Sequence, residues 1–326
     1  MPEPSLPSKR RGRLFRFGAA FVVLLAVAGY LVVQYVTGGA GGPGCKVVSA
    51  EGDGAEYEFT PEQAVNAATI TAVGTARNLP ERAITIALAT ALQESTLRNI
   101  DYGDRDSLGL FQQRPSQGWG TPQEIMDPAY AAGKFYEHLE KVPDYTRLPL
   151  TVAAQKVQRS GFPDAYAKHE PDASLLAAAL TGRSAATLTC EGRPAATRAA
   201  GADAVRAALV RDFGRDVLEP AGAEVGAAGT PSPSASAPAD SEPGTVTLPV
   251  TGDKGAEAAG RRAGPRGWQL AHWAVANASE LHIKRVSYAG REWVAGNTDS
   301  QWQATDAKAS ADAGDGAGAV QITTGQ

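Results

Sequence analysis

Between Ile84 and Pro115 the chain reads ITIALATALQESTLRNIDYGDRDSLGLFQQRP, and the side chains best suited to acid–base chemistry are gathered there. Glu94 ends an apolar run. Asp101, Asp104 and Asp106 follow on a polar stretch, and then comes a Gly-Leu-Phe-Gln-Gln turn, Gly109–Gln113. Burial disfavours the charged form of a carboxyl, so a lone glutamate against apolar surface holds its proton more tightly than usual unless a cation answers it. One such acid beside more exposed carboxylates is the pairing that glycoside cleavage uses: the acid protonates the leaving oxygen, and a second carboxylate activates water or stabilises the developing positive charge. The plainer alternative is a solvated helix-end charge for Glu94 and a turn-capping role for each aspartate.

Two helices must position this stretch. Thr60-Pro61-Glu62-Gln63 is a capping box with proline at the first helical position, opening a helix to about Arg77. Asn78-Leu79-Pro80 breaks it, and Pro80 starts the next, ERAITIALATALQES. There Ile84, Ala87, Leu88, Ala91, Leu92 and Ser95 form one apolar-to-small stripe, and Glu94 falls beside Ala87 on its edge, between core and cleft. Residues 98–120 are rich in Asp, Gly, Pro and Ser and read as a loop or small hairpin. Thr121-Pro122-Gln123-Glu124 repeats the capping signal, Asp127-Pro128 opens AYAAGKFYEHLEKV, and a helix covers Leu150 to Arg159. Ser160-Gly161-Phe162-Pro163 ends that helix, and further helical turns run to Leu180, closed by Gly182. Gln112 and Gln113 are placed to line a cleft, and Trp119, Tyr130, Phe135 and Tyr136 are candidate sugar-stacking rings whose other role is core.

The rest of the 326-residue chain sets the compartment. Lys9, Arg10, Arg11, Arg13 and Arg16 against Glu3 give residues 1–16 a charge of +4, which leaves −8 for the rest of a chain of net charge −4 and argues against a nucleic-acid partner there. Phe17 to Val36 is uncharged and long enough to span a bilayer as a helix. The basic cluster before it predicts an inside N-terminus, so that everything beyond Val36 faces outward; the length favours a retained anchor over a cleaved signal. The only cysteines, Cys45 and Cys190, flank the segment read as folded, and an exported chain meets oxidising conditions, which predicts one disulfide between them.

The expected fold class is mainly α. A basic tail (1–16) and transmembrane helix (17–36) precede a spacer (37–57), an α-helical domain (58–190) and a helical connector (191–219) with a short helix over 198–214. A Pro/Ala/Ser/Gly-rich linker (220–264), interrupted by a short strand TVTLPV, leads to a small α+β module (265–326). In that module WQLAHWAVANASEL reads as a helix, KRVSYAGREWV as a hairpin turned at Ala289-Gly290, and AVQIT as a last strand.

Ala91-Leu92-Gln93-Glu94-Ser95 followed by Ser107-Leu108-Gly109-Leu110-Phe111-Gln112-Gln113 resembles the lysozyme-like superfamily of lytic transglycosylases and goose-type lysozymes. Those carry a Glu-Ser pair at a helix end and a Gly-Leu-Met-Gln turn downstream; here Phe111 replaces the methionine. A third family motif, Ala-Tyr-Asn-x-Gly, falls at Val157–Gly161, where only the glycine matches. The resemblance covers residues 60–182. It implies a lysozyme-like domain that cleaves the β-1,4 bond after N-acetylmuramic acid in peptidoglycan strands, with Glu94 as general acid and then base. Ser95, Asp106, Gln112, Gln113 and Tyr136 become substrate-binding candidates, and neither cofactor nor metal is required. The alternatives are a hydrolase using a loop aspartate and a non-catalytic wall-binding protein on the same fold. The tail from Trp268 to Thr324 is similar to the C-terminal part of D-alanyl-D-alanine-type zinc peptidase domains, but its Ala319-Val320-Gln321-Ile322 strand has no histidine. It reads as a degenerate module whose expected role is contact with the wall or a protein partner.

Overall fold

Thr60 caps the first helix as its sequence predicts: its hydroxyl accepts from Gln63 N and the Gln63 side chain answers Thr60 N at 2.7 Å. The computed structural model describes residues 44–192, 201–218, 244–250, 264–296, 301–305 and 318–325. The basic tail 1–16, the apolar span 17–36 and most of the 220–264 linker lie outside the described residues. Among the described residues no helix is long and apolar enough to cross a membrane.

Helix α1 (Pro61–Ala76) is followed by α2 (Glu81–Ser95), whose residues Ala83–Leu92 are all buried. Short α3 (Pro122–Ile125) and longer α4 (Pro128–Leu139) start at Thr121 and Asp127, each with a side-chain cap. After α5 (Leu150–Gln158), a 3₁₀ segment (Pro163–His169) leads into α6 (Glu170–Leu180), which packs along α2. The resulting core is built largely from alanine, so the backbones approach closely, and the larger side chains Ile70, Ile84, Leu88, Phe111 and Phe135 fill the gaps between them.

The structure amends the mainly-α expectation to α+β. Part of the expected spacer is folded: β1 (Cys45–Val48) lies between β2 (Glu56–Phe59) and β3 (Leu188–Cys190) in an antiparallel sheet. Val47 is completely buried, but a four-residue strand carries too little alternation to stand out in a Gly-rich neighbourhood. Cys45 sits directly opposite Cys190 in this register, and the two form a disulfide across 145 residues.

The C-terminal part also differs from the separate module drawn from sequence. Helix α7 (Gly201–Phe213), strand β4 (Thr245–Pro249), helices α8 (Pro265–Ala276) and α9 (Ala278–Leu281), and strands β5 (Ile283–Tyr288), β6 (Arg291–Val294), β7 (Gln303–Ala304) and β8 (Ala319–Thr324) complete the described elements. The strands form one antiparallel sheet in the order β4-β8-β5-β6-β7, with the β5–β6 turn at Ala289-Gly290 as expected. From Gly267 through Ala276 every residue of α8 is buried, because the helix lies between this sheet and the helices α1 and α6. A helix sandwiched in this way buries both faces.

Polar groups seal the junction. His272 is fully buried, with Nε2 accepting from Thr187 N and Nδ1 meeting Ala179 O at 2.7 Å; burial pushes it down to about 4, so the ring is neutral. Trp293 and Trp302 donate their indole N–H groups to Cys190 O and Leu188 O, each at 3.0 Å. Gly182 permits the close approach of α8: its φ is +78°, and a Cβ there would collide with the Pro265 carbonyl and Gln269 N. The Asp212 carboxylate, with no exposed side-chain surface, accepts from Thr69, Trp273 and Arg211.

Asp212→Ala strips three donors of their acceptor at once. It is expected to destabilise the protein by about 3 kcal/mol, read as a lower urea midpoint with an unchanged slope. An unchanged midpoint would mean that the junction does not depend on this carboxylate.

Candidate active site

Helix α2 has to stop directly after Glu94 and Ser95, and the sequence there holds no glycine. Thr96 and Leu97 both adopt left-handed conformations, with φ of 55° and 56°, unfavourable for residues with side chains and for a β-branched threonine above all. The stop is held by the Leu97 N–H donating to Ala91 O and by two buried amides of α1: Gln63 Nε2 donates to Thr96 O and Asn66 Nδ2 to Leu97 O, both at 2.8 Å. The capping-box glutamine thus also fixes the end of the helix that carries Glu94.

Ser95 is buried and its hydroxyl bonds Leu110 O at 2.8 Å, joining the helix end to the downstream turn. That turn is closed by paired bonds between Leu108 and Gln113, with Gly109 and Gln112 at φ of 74° and 48°. A Cβ at Gly109 would press within 2.7 Å of Ile125 O, so glycine is demanded here by space as well as conformation. Phe111 stacks on Phe135 in the core at 4.7 Å between ring centroids, so it acts as packing.

Glu94 is half-buried. The Tyr166 hydroxyl donates to its Oε1 at 2.6 Å, and the Gln158 side-chain amide lies close enough to act on the same carboxyl. Burial raises the Glu94 pKa; the dipoles of Tyr166 and Gln158 oppose that shift without cancelling it. Tyr166 has no exposed surface, and its own pKa is pushed up by burial and by Glu94. Gln158 also donates to Phe111 O at 2.7 Å and forms part of the wall of a cleft of about 430 Å³. Glu94 is not itself part of that wall; Gln158 links the carboxyl to the open space. Trp119, stacked on His138 at 4.1 Å, and Gln112 line the same cleft.

The structure redistributes the other sequence-derived candidates. Tyr136 is fully buried between α4 and α1, with its hydroxyl donating to Ile70 O, so it presents no surface to a ligand. Ser95 and Gln113 are 5% and 1% exposed and serve the backbone, Gln113 through Nε2 to Ala131 O. Asp106 is a loop clamp: Arg114 and the Ser116 N–H, each at 2.8 Å, hold its carboxyl well below the usual carboxylate range. Asp101 and Asp104 are exposed. Gln112 remains at the cleft, its amide nitrogen donating to Gly109 O. Among the described residues no group of His, Cys, Asp and Glu could hold a metal ion.

Sequence reasoning missed Tyr166 and the role of Gln158. Gln158 occupies the tyrosine position of the partly matched third motif, whereas Tyr166, lying 72 residues beyond Glu94, carries no local signal and arrives by the packing of the 3₁₀ segment on α2.

The sign of the Glu94 shift has a measurable consequence. A carboxyl whose pKa is raised on folding stabilises the fold below its ordinary value of 4.5, and that contribution is lost as the pH rises through the folded-state value. Glu94→Gln is therefore expected to melt at a higher temperature than wild type at neutral pH, with the difference shrinking below about pH 4.5. A variant no more stable than wild type at neutral pH would contradict the desolvated site. No known family model matches this chain, and no curated protein matches it.

Proposed function

We propose that this protein cleaves the glycan strands of peptidoglycan at the β-1,4 bond between N-acetylmuramic acid and N-acetylglucosamine, as a lytic transglycosylase. The observation that carries the reading is the Glu94 carboxyl, half-buried at a strained helix end with its proton affinity raised and Tyr166 on Oε1. A carboxyl whose protonated form is favoured by its surroundings is suited to act as a general acid. In the proposed reaction Glu94 gives its proton to the glycosidic oxygen as the C1–O4 bond breaks. The muramic acid 6-hydroxyl then attacks C1 and returns its proton to the Glu94 carboxylate, which leaves a 1,6-anhydro end and regenerates the acid. Tyr166 and Gln158 orient the carboxyl through both steps.

Transglycosylation is favoured over hydrolysis because it needs no second carboxylate. Asp106 is occupied by Arg114 and Ser116, and Asp101 and Asp104 are exposed loop residues. The motif resemblance over residues 60–182 and the disulfide of an oxidising compartment agree with this assignment. In the same proposal the apolar stretch 17–36 anchors the enzyme with its bulk outside the membrane, and the substrate is the surrounding wall.

Digestion of purified cell wall by the full chain tests the reading. Glu94→Gln is expected to lower the rate by at least about 100-fold, and wild-type products are expected to end in 1,6-anhydromuramic acid. Equal digestion by the variant would remove Glu94 from catalysis, and hydrated reducing ends would make the enzyme a muramidase instead. Binding without turnover by wild type would leave a non-catalytic wall-binding protein.

A further inference from the structure

The walls of the cleft beside Gln158 carry an unbalanced charge. Arg114, Lys141, Lys156 and Arg159 line it together with His138, and no carboxylate does. Arg114 is answered by Asp106 at 2.8 Å. Lys141, Lys156 and Arg159 make no salt bridge with any described residue, and all three are exposed. A chain of net charge −4 thus keeps three unanswered cations around one concavity, on α5, on the residue that ends it and on the loop after α4. His138 registers the same field from within the wall: burial first, and then Lys141, Lys134 and Arg159, depress its proton affinity, against an opposing contribution from Glu137. Scattered surface lysines would be a solvated face, but cations of one sign converging on a concave, partly apolar wall concentrate the potential and draw in anions.

We infer that this cleft binds an anionic glycan, a strand whose substituents carry free carboxylate or phosphate groups, and that Lys141, Lys156 and Arg159 select for that charge. Trp119, stacked on His138 within the same wall, supplies apolar surface for a sugar ring beside the cations, and Gln158 places the bound polymer next to Glu94. The inference deepens the glycan-cleaving reading and rests on it for the nature of the polymer. It adds that uncrosslinked strands with free peptide carboxylates, or strands bearing phosphodiester polymers, are preferred over neutralised ones.

Binding by the full chain in the Glu94→Gln background tests this without turnover. The probes are soluble uncrosslinked strands with free peptide carboxylates, the same strands with those carboxylates converted to methylamides, and a phosphodiester wall polymer as competitor. The free-carboxylate strands are expected to bind roughly tenfold more tightly than the blocked ones at about 50 mM salt, with the preference lost near 500 mM as screening shortens to a few ångströms. The triple variant K141Q/K156Q/R159Q, and independently the single variant K156E, are expected to lose that preference while melting as the parent does; these side chains are exposed, so the fold does not rely on them. Displacement by the phosphodiester polymer with no effect of carboxylate blocking would assign the selected anion to phosphate, within the same inference. Equal binding of free and blocked strands with no displacement by the polymer would overturn it, as would a triple variant with an undiminished preference. Wild-type protein that binds these strands without digesting cell wall would instead overturn the glycosidase reading and leave the charge selection standing.

Discussion

The site depends on stopping one helix within two residues of its glutamate, without glycine. Each left-handed residue at Thr96 and Leu97 costs on the order of 1–2 kcal/mol, so the turn persists only because its surroundings over-determine it. Those surroundings are two amides from α1, the Leu97-to-Ala91 bond that closes the helix, and the Ser95 hydroxyl reaching Leu110 O. Were α2 to continue by one more turn, Ser95 would no longer meet the Gly109–Gln113 turn and the chain would not double back past Glu94. The side chains nearest the glutamate in sequence therefore shape the backbone, and those that touch its carboxyl come from elsewhere.

Two carboxyls twelve residues apart illustrate how environment divides labour among identical groups. Glu94 loses water on packing and gains only uncharged partners, so its protonated form is favoured. Asp106 keeps its contact with solvent and gains a guanidinium and a backbone N–H, so its ionised form is favoured. The contrast separates a group able to donate a proton from one that ties a loop together. It also moves chemical interest away from the aspartate cluster and onto a single acid with hydrogen-bonding support.

The C-terminal sheet belongs to the stability of this arrangement. Helix α8 is packed on α1 and α6, and α6 packs along α2, so the elements holding Glu94 form a continuous core with the sheet. A buried neutral histidine, a buried aspartate and two indole N–H groups fix the junction by direction as well as by area, and each would exchange a protein partner for water if the parts separated. Both ring nitrogens of His272 are used in these contacts, so it serves as a structural group.

Local signals along the chain were enough for the helix starts at Thr60, Thr121 and Asp127, the hairpin at Ala289-Gly290, the pairing of the only two cysteines, and the glutamate at the edge of an apolar stripe. These depend on capping, turn chemistry and periodicity, which act over a few residues, or on there being a single pairing to choose. Tertiary structure alone decided that Tyr166 and Gln158 meet Glu94, that Tyr136 and Gln113 are interior, that Cys45–Val48 is the central strand of a sheet, and that the tail shares a core with the helices. Each of these follows from contacts between residues far apart in the chain, where the deciding factor is which surfaces exclude water from one another, and neighbouring residues carry no record of that.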